Sequence, residues 1–365
     1  MSQPRTQHNW LLVVLLLAAT RAPGADPALL GQDMGIEAPR HFIEDWVVAP
    51  IPISNPTIGT GLAVVAMPFY HLGEGSPLSN TMLATGYTSS GSWGVAAAQS
   101  TRLRGDRLRI DGMLAYGELH YRFYGIGDAA GEGGSSVPIV QKATVFAPEL
   151  LFHAGARTFV GLRYRGIRVE TAAEAATPLL DSITITSSGF GPRVTLDTRD
   201  NDMSPASGAL VDLRANFADE AFGSDFNYET WELSGNYYRR AGPGVVALRA
   251  YACHASERTP LFDLCLFGSG SDLRGYEVGR YRDRAMFAAQ GEYRFPLGGR
   301  WGGVVFGGWG KVAPSFGEMD EQLDLPSIGA GLRWLAAEKA RVNLSVDVAR
   351  ARDSTSLYVY VKESF

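Results

Sequence analysis

Residues able to do covalent chemistry are scarce in this chain, and they do not gather. The six histidines are widely scattered, no Gly-x-Ser-x-Gly elbow exposes a serine, and no His-Glu-x-x-His pair offers a metal two ligands. Gly125, Gly127 and Ala130 imitate a dinucleotide fingerprint, but a Gly-rich stretch follows where a helix would be required. The reading is of a chain that is not an enzyme and has no cofactor and no metal. Ion-pair chemistry is abundant instead, and it is periodic. Arg341, Asn343, Ser345 and Asp347 interleave with Val342, Leu344, Val346 and Val348. Gln290, Glu292 and Arg294 alternate with Phe287, Ala289, Tyr293 and Phe295, while Arg163 and Arg165 alternate with Val160, Leu162 and Tyr164.

A period of two means strands with one apolar and one polar face. Charges recurring on three such strands would have to be buried inside a soluble sandwich, whereas a transmembrane barrel gives them a polar lumen and its apolar face to lipid. The composition agrees: 43 Gly, 11% aromatic and 19% charged residues in 365. Past the N-terminal region no segment approaches the roughly 20 apolar residues of a membrane helix. A net charge of −5 and a pI near 5.7 argue against nucleic acid as a partner, because phosphate binding needs concentrated Lys and Arg.

At the N-terminus Arg5 precedes an apolar run over residues 10–19, followed by Ala22, Gly24 and Ala25, the layout of a cleaved secretory signal. The expected organisation is a signal peptide over 1–25, a short periplasmic lead-in over 26–44 and a barrel over 45–365, placed in a Gram-negative outer membrane. Alternating stretches at 45–53, 57–70, 80–89, 92–102, 107–117, 140–152, 157–169, 183–197, 208–218, 226–240, 244–254, 285–295, 301–312, 327–335, 341–349 and 355–365 make an all-β, antiparallel barrel of about sixteen strands. Entered from the periplasm, this count puts the short turns at 241–244, 296–300 and 336–340 on one side and the long connections at 117–139, 255–284 and 313–326 on the other.

The first strand is thin, since Pro50 and Pro52 remove two ladder donors; residues 45–53 read either as an edge strand with a poorly bonded closing seam or as lead-in. The last stretch aligns Leu357, Val359, Val361 and Phe365 on one face, an apolar edge expected to be the signal by which the cell's barrel-assembly machinery inserts the chain. Glu363 falls on that same face. Cys253 and Cys265 flank the start of the longest loop, and a cysteine pair in an exported chain favours a disulfide, the alternative being two unbridged thiols.

That loop contains Leu273, Arg274, Gly275 and Tyr276, and with it the chain resembles the BamA/TamA-type outer-membrane protein family, also called the bacterial surface antigen family. Further stretches carry the resemblance: Asp197, Arg199, Asp200, Asn201, Pro205 and Gly208 at the turn between strands eight and nine; Tyr124 to Asp128; Gly291 to Leu297; Gly329, Gly331, Leu332 and Arg333; and Val346 to Val348. The resemblance implies a sixth extracellular loop folded into the lumen, its Arg274 docked on inward acids of strands twelve and thirteen. Glu292 is the matching acid on strand twelve and could accept the guanidinium fork. On strand thirteen Gly308 stands where the family has Asp, so docking is expected to be weaker or carried by Glu292 alone. An exposed loop arginine is the alternative for Arg274.

What the resemblance implies for function is protein or lipid insertion or translocation at the outer membrane. Larger relatives place periplasmic POTRA modules ahead of the barrel, and this chain has no room for one, which points to a separate periplasmic partner besides outer-membrane lipid. The alternatives are a passive or substrate-selective pore and a surface antigen of structural role.

Overall fold

The computed structural model describes residues 43–365 except 56, 74, 174–181, 270 and 353. The expected signal peptide and most of the lead-in lie outside these residues. Sixteen strands close into one antiparallel barrel: β1 Ile43–Asn55, β2 Gly59–Tyr70, β3 Ser79–Thr88, β4 Trp93–Leu103, β5 Leu108–Phe123, β6 Val137–Gly155, β7 Thr158–Ala173, β8 Ile183–Asp197, β9 Gly208–Ala218, β10 Tyr228–Ala241, β11 Gly244–Ala255, β12 Ala285–Gly298, β13 Trp301–Ala313, β14 Leu325–Ala337, β15 Val342–Ala351 and β16 Thr355–Val361. Each strand pairs with its neighbour in sequence, and β16 meets β1.

Side-chain alternation decides which face is which. Leu162 is 63% exposed and its neighbour Arg163 is 7% exposed, and the same contrast sets Val346 and Val348 against the fully buried Asp347. The exposed face is therefore apolar and suits lipid, and the inward face carries the charges. Trp93 stacks edge-on with Tyr116 at 5.6 Å, and Phe287 with Trp309 at 5.5 Å, aromatic pairs of the kind that flank an apolar band. No helix among the described residues is long and apolar enough to cross a membrane.

Residues 45–53 belong to β1, which starts two residues earlier and runs beside β2 along its whole length. The 117–139 connection is shorter than expected, because alternation continues through Leu119, Tyr121 and Phe123 and the strand continues with it. The largest departure is at the other end. β16 stops at Val361, and Lys362 adopts a φ of 79°, so residues 362–365 leave the sheet. Phe365 consequently does not continue the edge of Leu357, Val359 and Val361; its ring lies 6.4 Å from that of the buried Tyr238. Glu363, expected on the lipid face, is buried and bonded to Arg333 and Asn343.

Candidate functional site

Residues 256–284, between β11 and β12, build the site. Cys253 at the end of β11 is disulfide-bonded to Cys265. A two-residue ladder, Cys265–Leu266 against Arg282–Asp283, folds the segment back on itself. Phe267, Tyr276 and Tyr281 stack edge-on and join Leu273 in an apolar cluster with Met286 of β12, Val312 of β13 and Leu325 of β14. The loop thus carries its own small core and presses it onto the inner wall. Gly308 and Gly310 are the depressions that receive it. A Cβ on Gly308 would collide with Leu273 Cδ1 and lie 2.7 Å from Gln290 Cβ, and one on Gly310 would lie 2.9 Å from Phe267 Cζ. Asp272 adds a charged anchor, accepting from Arg249 of β11 at 2.6 Å.

Arg274 at the tip is fully buried. Its guanidinium donates to Glu292 of β12 and to Asp347 of β15, with a longer bond to Gln290 at 3.2 Å, and its Cζ lies 3.4 Å from the ring centroid of Phe306. Both carboxylates are shared. Glu292 also accepts from Arg294 at 2.7 Å, and Asp347 from Arg333 and the Tyr360 hydroxyl. Glu363 closes the circuit, 2.8 Å from Arg333 and 3.6 Å from Arg294. Three guanidinium groups and three carboxylates therefore alternate in one ring, Arg274, Glu292, Arg294, Glu363, Arg333, Asp347, and none of the six is more than 8% exposed. Their formal charges cancel. Such a ring tolerates burial only while complete, because removing one member strands a desolvated charge at a cost of about 3–5 kcal/mol.

The backbone of the tip is bonded as thoroughly. The Gly275 N–H donates to the Tyr358 hydroxyl at 2.8 Å, its carbonyl accepts from Ser354 at 2.6 Å and Ser356 at 3.2 Å, and the Tyr276 hydroxyl donates to the Pro326 carbonyl at 2.7 Å. Ser327 donates to the Arg274 carbonyl. The expectation that docking falls to Glu292 alone is thus corrected. The second acid is Asp347, two strands away from the empty position at Gly308, and it reaches the ring across Gly331, where any Cβ would overlap its carboxylate.

Residues 82–353 match the Omp85 superfamily domain. The chain belongs to the Omp85 superfamily. Barrels of this family are outer-membrane proteins, and the fold is similar to solved members. These include BamA from Haemophilus ducreyi lacking POTRA domains 1–3 (TM-score 0.56, 13% identity, 88% of this chain and 75% of that chain). CdiB from Escherichia coli is similar at TM-score 0.58 and 13% identity, over 87% of this chain and 62% of that one. CdiB from Acinetobacter baumannii is similar at 0.55 and 11%, over 86% and 59%. The chain thus spans about three quarters of that BamA chain and about three fifths of the CdiB chains. No curated protein matches it in sequence.

The turn between β8 and β9 of this Omp85 barrel is held by bonds within itself and by Arg109 of β5. Asp197 accepts from Arg199 Nε at 2.9 Å and from Arg109 at 3.1 Å, and Asn201 Oδ1 accepts the N–H groups of Met203 and Ser204 at 2.9 and 2.7 Å. Asp200 accepts from Ala206 N–H at 2.8 Å and Ser207 N–H at 3.1 Å. Burial raises the Asp200 pKa, but these N–H bonds outweigh it and hold the carboxyl below its ordinary range. Pro205 is buried and Gly208 opens β9. The turn lines a cavity of about 670 Å³ with Arg109 and Arg157, and Arg274 is not among its lining residues.

On the opposite rim of this Omp85 barrel the loop is roofed. The short helix α1, Asp128–Gly133, sits over it: Gly127 N–H donates to the Arg282 carbonyl at 2.8 Å, and Arg280 to the Gly131 carbonyl at 3.0 Å. Asp128 accepts from Leu323 N–H at 2.7 Å, and Arg352 pairs with Glu132 at 2.7 Å. Tyr124 donates to Glu277 at 3.0 Å, and burial pushes the Glu277 carboxyl above its ordinary range. The Tyr124–Asp128 stretch, noticed first as a family signature, is therefore a clamp on the loop base. Sequence reasoning missed Asp347, Arg333 and Glu363 as ring members. The inward parity of Asp347 and Arg294 was visible; the turn at Lys362 that brings Glu363 inside had no sequence signal.

Proposed function

We propose that this barrel inserts or translocates protein or lipid at the outer membrane, with the edge between β1 and β16 as its working element and the docked loop as a brace beside it. One observation carries the reading. β16 pairs with β15 from Leu344↔Val361 to Arg350↔Thr355, but with β1 only at Ser54↔Leu357 among the described residues. Strand edges with free N–H and C=O groups are templates for another strand, so a client strand or a displaced lipid would enter there. The likeness to BamA and CdiB barrels supports the same reading. In it the chain is not an enzyme, takes no cofactor, and works with outer-membrane lipid and a separate periplasmic partner that delivers clients.

The test uses the purified chain in phospholipid vesicles, measuring how fast an unfolded outer-membrane barrel folds into them. A disulfide engineered across Ser54→Cys and Leu357→Cys should abolish any acceleration, while each single-cysteine variant retains it. Acceleration that ignores the lock would reject the seam. The passive pore is the second reading, favoured by the 670 Å³ charged cavity at the short-turn rim. A steady planar-bilayer current would establish it in place of the first.

A further inference from the structure

The ion-pair ring joins two segments that the chain keeps far apart: the loop tip through Arg274 and residues 362–365 through Glu363. Both are strapped to the same wall. Glu363 is bonded by Arg333 at 2.8 Å and by Asn343 at 2.7 Å, and Arg294 donates to the main-chain oxygen of Phe365 at 3.1 Å while its Cζ lies 5.3 Å from the Phe365 ring centroid. Arg294 is in turn held by Glu292, and Arg333 by Asp347, the two acids that hold Arg274. The two segments also face each other across a cavity of about 330 Å³, with Ser271 and Asp272 on one side and Glu363, Ser364 and Phe365 on the other.

We infer that the loop tip and residues 362–365 form one latch, in which docking of either stabilises docking of the other through the shared ring. The physical reason is neutrality. With the loop out, Glu292 and Asp347 each lose one of their guanidinium partners, and Arg294 and Arg333 are drawn toward those acids and away from Glu363. With residues 362–365 out, Arg294 and Arg333 lose a shared carboxylate and compete with Arg274 for the two acids that remain. Because residues 362–365 follow directly on β16, release of the latch frees the end of the strand that closes the barrel. Loop undocking and loosening of the seam are then a single event. The inference stands on the ring geometry whatever passes through the barrel.

Coupling between two sites must be reciprocal, and this makes it testable. In the folded full chain in detergent micelles, Ser364→Cys and Ser271→Cys serve separately as reporters of thiol alkylation rate. Arg274→Gln should speed alkylation at 364, and Glu363→Gln should speed it at 271, each by about tenfold or more and by similar factors. Should either variant fail to fold, Tyr360→Phe keeps all six charges of the ring, removes the hydroxyl that donates to Asp347 and accepts from Arg274 at 3.4 Å and Arg333 at 3.3 Å, and should speed both reporters together by a smaller factor. If a variant changes only the reporter on its own segment, the other staying within about twofold, the latch is rejected.

Discussion

On its β15 side, strand β16 has a continuous backbone ladder and, behind it, a buried ion-pair ring; on its β1 side it has one paired position among the described residues. The two flanks belong to the same strand, so intrinsic strand propensity cannot account for the difference. The prolines of β1 account for part of it, since Pro50 and Pro52 offer no N–H. The early exit of the chain at Lys362 accounts for the rest, because β16 ends before it can run the length of β1. The lesson is that the barrel is closed strongly by side chains on one flank and weakly by backbone on the other. Strain or a client pulling on β16 would open the β1 side first.

The sharpest way to break this contrast is Asp347→Ala. It removes the acid shared by Arg274 and Arg333 and should cost about 3–5 kcal/mol, the range for uncovering a buried charge. Urea unfolding in vesicles, followed by heat-modifiable gel mobility, reads the loss. The half-exposed pair Arg300–Glu338 is the control, and Arg300→Ala should cost about 0–1 kcal/mol. Equal effects would mean that the ring adds nothing beyond surface pairing. Next in size is the Cys253–Cys265 bridge. Loop-closure entropy gives about 3 kcal/mol for a loop of this length, and a loop already docked by Arg274 should lose somewhat less. Replacing both cysteines by serine should therefore raise protease sensitivity within residues 256–284 while leaving the barrel heat-modifiable. Unchanged cleavage would show that the ring alone fixes the loop.

Gly308→Asp tests the site from the family's side. It restores the acid that the resemblance leads one to expect, yet the space belongs to Leu273, and overpacking costs about 1–3 kcal/mol. The loop should become more mobile, not less. Tighter docking, read as slower proteolysis, would mean that Leu273 can yield and that two acids on neighbouring strands are the better arrangement.

Most of the barrel was legible because a lipid-facing strand must alternate strictly, and Leu162 beside Arg163 or Val346 beside Asp347 needs no alignment to be read. Loop lengths then fixed which rim carries the large connections. The position of Arg274 beside Glu292 was legible through a short motif and one parity, both local. Asp347 was not, although its parity was known, because which inward acid meets a loop depends on how far the loop reaches around the wall. Glu363 was misread for a different reason: parity arguments assume an unbroken strand, and a non-glycine residue with positive φ at Lys362 breaks it without any compositional warning.

The smallest expected effect sharpens the comparison most directly on the weak flank. Pro50 and Pro52 share a parity, so both missing donors point at the same neighbour. The ladder to β2 runs through both prolines, Pro50 opposite Val64 and Pro52 opposite Leu62, while among the described residues only Ser54 pairs on the other side, so the β16 flank is where donors are expected to be lacking. Replacing both by valine offers two new N–H groups, each worth about 0.5–1.5 kcal/mol net if it finds a carbonyl. Against that, the unfolded chain regains the freedom proline had denied it, about 0.4–1 kcal/mol per site. The two nearly cancel, so global stability should move by less than about 1 kcal/mol. The seam should not be neutral: amide exchange in residues 355–361 should slow, because the new bonds form only when β1 and β16 are together. Slower exchange in β2 with none in β16 would place the missing donors on the β2 side, and the weak flank would then owe its weakness to the turn at Lys362 alone.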